Sequence, residues 1–261
     1  MMLRSLSLPK REKITSGTKE WADHNVNCIN GCYNDCKYCY AKMMAIRFCR
    51  ATEKTWQNMA IRREAVTKNY RKFSGRVMFP SSHDILDLPQ IEEACFTVLA
   101  KLLESRNNVL IATKPRINVI RDIDRLFSKY KEYLQFRFTI TSIQDNLLKF
   151  WEPNAPNFQE RLESLIFAFD KGYKTSVSIE PFLDYDPAKL VELIAPFTTE
   201  SIWLGKMNYI PRRNLSNVEQ HYFDDVRKNY EIKHLWEVYT QLTDLPLIKF
   251  KDSVRTKLGI K

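Results

Sequence analysis

The stretch NCINGCYNDCKYCYAK, residues 27–42, carries four of the chain's six cysteines: Cys28, Cys32, Cys36 and Cys39. Thiols gathered this closely point to metal or redox chemistry in a reducing compartment, not to a disulfide framework. A structural zinc site takes two CxxC-like knuckles separated by a loop, and one CxxC stands here without a second pair downstream. The subset Cys32-x3-Cys36-x2-Cys39 puts three thiolates on one tight loop, which suits a cubane 4Fe-4S cluster. Three irons are then held while the fourth keeps an open coordination position. Cys28 as a fourth ligand would make a plain electron carrier; placed before the loop, at the end of a short strand over 26–28, it reads as structural.

Working outward, the rest of the chain narrows the field. Its 261 residues, 44% hydrophobic and 28% charged, are enough to bury a core as one large domain or one with a modest appendage. The six glycines, at 17, 31, 75, 172, 205 and 259, stand too far apart for GxGxxG or GxxxxGK[ST], which excludes a Rossmann or Walker site in its usual form. The four histidines form neither HExxH nor a zinc-finger pair, so metal chemistry must run on cysteine. Charge arithmetic, 41 basic minus 31 acidic, gives +10. Solvated basic faces explain part of that excess, and a nucleic-acid or phosphorylated partner gains weight from it. No apolar run reaches the ~18 residues of a membrane helix and the opening MMLRSLSLPKREK is thin for a secretion signal, so the expectation is a cytoplasmic protein with no membrane partner.

Hydrophobic periodicity alternates strands with helices, the pattern of a parallel α/β sheet. Strands are expected at 26–28, 75–80, 108–113, 136–142, 174–181 and 200–205. Helices are expected at 41–49, 57–72, 90–105, 117–131, 159–171 and 187–195. Cys95 falls on an apolar helix face with Ile91, Val98, Leu99 and Leu102. Six βα units predict a partial (β/α)6 TIM-like barrel. Residues 1–20 read as an N-terminal extension, 21–211 as the barrel, and 212–261 as a helical C-terminal appendage with helices near 217–228 and 232–241. Barrel chemistry sits at the C-terminal ends of strands, where polar residues collect here: Ser81-Ser82-His83-Asp84, Thr113-Lys114, Thr139 to Ser142, Ser178-Glu180 and Lys206-Asn208.

The CxxxCxxC spacing with Tyr38 before the last cysteine resembles the signature of the radical S-adenosylmethionine (SAM) superfamily. Over roughly residues 27–183 the chain is most similar to the branch containing spore photoproduct lyase, through GCYNDCKYCYAK, SSHDI, ATK, FRFTI and FWEPNAPNFQERL. The resemblance implies that Cys32, Cys36 and Cys39 hold the cluster and that SAM docks at its open iron. Lys114 with Thr139 or Thr141 would take the SAM carboxylate, Asp84 or Glu180 the ammonium, and Tyr38 the adenine. Tyr38 and Tyr40 would serve hydrogen-atom return. A flavodoxin or ferredoxin would supply the electron that splits SAM to a 5′-deoxyadenosyl radical, with a nucleic acid or nucleotide as substrate. The chain departs from the lyase at Ser81, which stands where the lyase has its hydrogen-donating cysteine; Cys49 or Cys95 are the thiols left to substitute. The Ser81-Ser82-His83-Asp84 run also replaces the usual glycine-rich segment that contacts the SAM ammonium. The alternative reading is a non-catalytic Fe-S or zinc protein that binds nucleic acid.

Overall fold

The computed structural model describes residues 16–211 and 215–260. Seven strands lie in one sheet in chain order: β1 His24–Asn25, β2 Arg76–Met78, β3 Asn108–Thr113, β4 Leu134–Thr139, β5 Lys174–Ile179, β6 Ser201–Leu204 and β7 Ile248–Phe250. Every pair is parallel, with helices in the crossovers. Among the described residues β1 and β7 are the two edges of an open sheet, so the architecture is the expected α/β partial TIM-like barrel. The six-strand count falls one short, because β7 comes from the region read as a helical appendage and pairs with β6 from Ile202↔Ile248 to Leu204↔Phe250. A three-residue edge strand just after Pro246 carries too little alternation to be seen in sequence. The two appendage helices are present, Asn217–Asn229 and Ile232–Leu242.

The strand expected over 26–28 lies instead at His24–Asn25, and the predicted helix over 57–72 is a further difference. Only Arg63–Thr67 is helical, while Ala60–Ile61 pairs antiparallel with Ile29–Asn30. Tertiary context overrides the local pattern: buried Trp56 packs on Cys32, and its carbonyl accepts the Cys32 N–H at 2.9 Å. The segment therefore covers the cysteine loop.

Alternation along the strands sets the two faces of the sheet. Val109, Ile111, Phe136, Phe138, Val177, Ile179, Ile202 and Leu204 join the core under the helices. The other face carries polar side chains, with Gln135, Arg137 and Thr139 on β4 registered with Lys174, Ser176 and Ser178 on β5. That face lines the barrel interior. Residues Gly17–Glu20 form a 3-10 turn tied to the far end of the chain, since Lys251 reaches the Gly17 carbonyl at 2.7 Å and Glu20 at 2.6 Å.

Candidate active site

The cysteine loop is shaped by backbone constraints before any ligand is considered. Gly31 has φ +86°, and a Cβ there would lie 2.5 Å from the Trp56 carbonyl oxygen and 2.7 Å from that of Asn58. Only glycine fits both demands. Turn bonds Asp35 N–H to Cys32 O and Cys39 N–H to Cys36 O then bring the three thiols round one bend. Cys39 is the N-cap of helix α1, Tyr40–Arg47, and its Sγ accepts the Lys42 N–H at 3.4 Å. Lys42 clips the loop to Asp35 at 2.9 Å and Glu53 at 2.6 Å.

A second set of bonds ties this loop to the strand ends. Asp84 accepts from Asn34 Nδ2 at 2.6 Å through one oxygen, and from Thr113 Oγ1 at 2.6 Å and Lys114 N at 2.8 Å through the other. Arg116 reaches Asn34 Oδ1 at 3.0 Å from the same rim. Asn27 does equivalent work for the Ser81-Ser82 turn: its Oδ1 accepts both backbone N–H groups, and its amide donates to Ser81 Oγ. Asp84, expected as an ammonium acceptor, thus already serves as a clasp.

Tyr38 donates its hydroxyl to Glu152, which also accepts from Thr141 Oγ1 at 2.7 Å and pairs with Arg161. Glu152 is 1% exposed and Arg161 fully buried. Burial opposes the Glu152 charge, yet the Arg161 and Lys114 cations hold its carboxyl below the usual carboxylate range. Lys114 lies over the Tyr38 ring, 5.5 Å from its centroid. Burial works against its charge too, but Cys36, Glu152 and Asp84 outweigh that and raise its pKa. Glu152 and Arg161 are absent from the predicted site. Their signal was the FWEPNAPNFQERL block, but two prolines between the partners hide the pairing from helical periodicity.

The structure thus brings together Cys32, Cys36, Cys39, Tyr38, Asp84, Lys114 and Thr141, with Thr139 on the inner face of β4. Other expected residues stand apart. Tyr40 is exposed on α1, 6.3 Å from the Tyr209 ring. Cys49 is exposed beyond the far end of α1, at φ +55°. Glu180, just after β5, faces Lys251 at 3.8 Å and packs against Gly205. Cys28 is buried in the core with its Sγ 3.7 Å from Cys95 Sγ, which accounts for it without a ligand role.

Burial pushes the Cys32 thiol up to about 12 and raises Cys36 and Cys39 as well. Two buried thiolates, Cys32 and Cys36, and a half-buried one, Cys39, beside the Lys114 ammonium would be under-compensated, and iron would supply the missing positive charge. This donor set fits a 4Fe-4S cluster held by Cys32, Cys36 and Cys39.

Comparison with known proteins gives relatives, a shared fold and a family. An uncharacterised protein of Acidianus two-tailed virus is 26% identical over 243 residues, 85% of this chain and 78% of its own length. An uncharacterised protein of Methanocaldococcus jannaschii is 27% identical over 192 residues, 72% of this chain and 73% of its own. A spore photoproduct lyase mutant with bound AdoMet and dinucleoside spore photoproduct shares the fold at TM-score 0.56 and 12% identity, covering 92% of this chain and 79% of that one. The chain spans only 40% of the Streptococcus suis SuiB structure bound to S-adenosylmethionine, at TM-score 0.44 and 8% identity. The family model that matches, over residues 26–194, is that of the radical SAM superfamily, and its span takes in the whole cysteine loop and the C-terminal ends of β2 to β5; the chain belongs to the radical SAM superfamily.

Proposed function

We propose that this protein is an enzyme that uses a 4Fe-4S cluster and SAM to abstract hydrogen from a nucleic acid or nucleotide. Family membership implies both cofactors. One observation carries the reading: Cys32, Cys36 and Cys39 share one loop while Cys28 is turned away into the core against Cys95. Three ligands leave one iron open, as SAM binding requires. When bound, the cluster and SAM supply reductive cleavage of the sulfonium and a radical that takes hydrogen from an unactivated C–H bond.

The chain's own residues orient and shield. Cys32, Cys36 and Cys39 hold the iron, with the Gly31 bend and the Lys42 clip fixing the loop. Lys114 offers a buried ammonium for the SAM carboxylate, and Thr139 a hydroxyl from the same face. Glu152 fixes Tyr38 beside the last cysteine. The phenol keeps its proton, because burial and the neighbouring carboxylate raise its pKa. Ser81, anchored by Asn27, occupies the position of the lyase cysteine. Its O–H bond is a poor hydrogen-atom donor, so the reaction differs from lyase chemistry in its last step. The +10 charge and the fold shared with a lyase that binds a dinucleoside support a nucleic-acid substrate. A flavodoxin or ferredoxin serves as reductant.

Anaerobic reconstitution tests the reading: four irons per chain and 5′-deoxyadenosine formed with SAM and dithionite are expected. Cys36→Ala abolishes the nucleoside, whereas Cys28→Ala keeps iron content near normal. One zinc per chain without nucleoside, or loss of the cluster in Cys28→Ala, overturns it.

A further inference from the structure

On the function proposed above, one electron must enter from a partner close to the cysteine loop. α1 packs on that loop through small residues, with Ala45 buried and Ala41 half-buried against Cys32 and Trp56. Its other side is bare. Met43, Arg47, Phe48, Cys49 and Arg50 are exposed, Phe48 by 58%. The Arg47 and Arg50 guanidinium groups lie 5.9 and 5.7 Å from the centroid of the Phe48 ring.

Charge on this surface is one-sided. Between Asp35 and Glu53 the sequence holds Lys37, Lys42, Arg47 and Arg50 and no carboxylate. Lys42 is engaged by Asp35 and Glu53, and Lys37 by Glu219 at 3.3 Å. No carboxylate of the described residues pairs with Arg47 or Arg50. An exposed phenylalanine between two free guanidinium groups has the composition of an interface hot spot for an acidic protein surface. Position gives the partner its task. α1 starts at the Cys39 cap, so at ~1.5 Å per residue Met43 stands about 6 Å and Phe48 about 13 Å along the axis from a cluster ligand. A groove on the other flank, about 430 Å³ and lined by Tyr33, Gln57, Met59 and Leu88, carries no charge to steer a partner.

We propose that Met43, Arg47, Phe48 and Arg50 form the docking face for a small acidic one-electron carrier protein. The reduced carrier is oxidised by one electron on this face and the cofactor held by the loop is reduced by one; no atom is transferred.

The test titrates reconstituted protein into an oxidised, FMN-containing flavodoxin and reads the Kd from flavin fluorescence at several salt concentrations. The Arg47→Glu/Arg50→Glu variant should raise Kd about tenfold or more and flatten its salt dependence, as charge reversal at a steered contact does. Phe48→Ala should raise Kd and leave the salt dependence in place. Dithionite-driven nucleoside formation, which needs no docking, should stay within about twofold of wild type in both. Unchanged flavodoxin affinity in both variants sinks the docking face alone. So does a loss of single-stranded oligonucleotide binding with flavodoxin affinity retained, which gives the face to a nucleic acid. Wild-type protein that forms no nucleoside with dithionite sinks the proposed function itself, and with it the need for a carrier.

Discussion

Replacing Glu180 with Gln should make the protein more stable at alkaline pH and leave it almost unchanged in acid. Glu180 follows β5 and is wedged against Gly205, where an added Cβ would lie 2.7 Å from the Glu180 Cγ. Its cationic neighbour Lys251, 3.8 Å away, is already committed to Glu20 at 2.6 Å and to the Gly17 carbonyl at 2.7 Å. Burial therefore prevails over that attraction. With Glu20 and Asp252 adding repulsion and Arg137 only weak relief, the carboxyl is pushed up to about 7 from an ordinary 4.5. The difference, roughly 2.5 units at ~1.36 kcal/mol each, is about 3 kcal/mol. The folded protein keeps a proton that the unfolded chain releases, so this site lowers stability as pH rises from about 4.5 to 7. Above that window the penalty is complete; below it, absent. Glutamine carries no charge at any pH. Urea unfolding of the anaerobic apoprotein, followed by tryptophan fluorescence, should show Glu180→Gln ahead by up to about 3 kcal/mol at pH 8 and within about 0.5 kcal/mol at pH 4.5. A wild type that is the more stable at pH 8 would mean that Lys251 does hold the carboxylate, and an equal gain at both pH values would mean that ionisation is not its cause; either result defeats the argument from burial.

Two further outcomes are expected. Arg161→Met strands the Glu152 carboxylate in the core and should cost about 3–5 kcal/mol in the same unfolding assay, whereas a loss below ~1 kcal/mol would show that Tyr38 and Thr141 suffice to hold it. Gly31→Ala forces a methyl group against two carbonyl oxygens at a left-handed backbone position, so iron bound per chain on reconstitution should fall by more than half while the far-UV spectrum stays native; full iron loading would show that the loop bends without the glycine.

What could be read in the sequence was what neighbouring residues say about one another. The thiol spacing from Cys32 to Cys39 is local, and so are the apolar runs of β3 and β5, whose predicted starts at 108 and 174 match the structure. What stayed hidden depends on residues far apart in the chain. Asn27 clasps the turn at Ser81, and Asn34 meets Asp84, fifty residues or more away; neither asparagine looks different from a loop asparagine in sequence. The buried Glu152–Arg161 pair takes its remaining partners from distant or non-periodic positions, Tyr38 and Thr141 among them. The helix expected over 57–72 failed for the same reason: its residues have helical spacing, but the cysteine loop needs Trp56 as a cover and Ala60–Ile61 as a strand.

The seventh strand bears on how the molecule is made. Cys39 leaves the ribosome 209 residues before Ile248 (248 − 39), so at ~5–20 residues per second the thiol bend exists for roughly 10–40 s on a sheet that still lacks its last edge. Throughout that interval Lys251 is not there to fasten Glu20. On the proposed function, iron delivery and oxidation would then compete for a nascent chain whose Gly17–Glu20 turn has yet to meet Lys251.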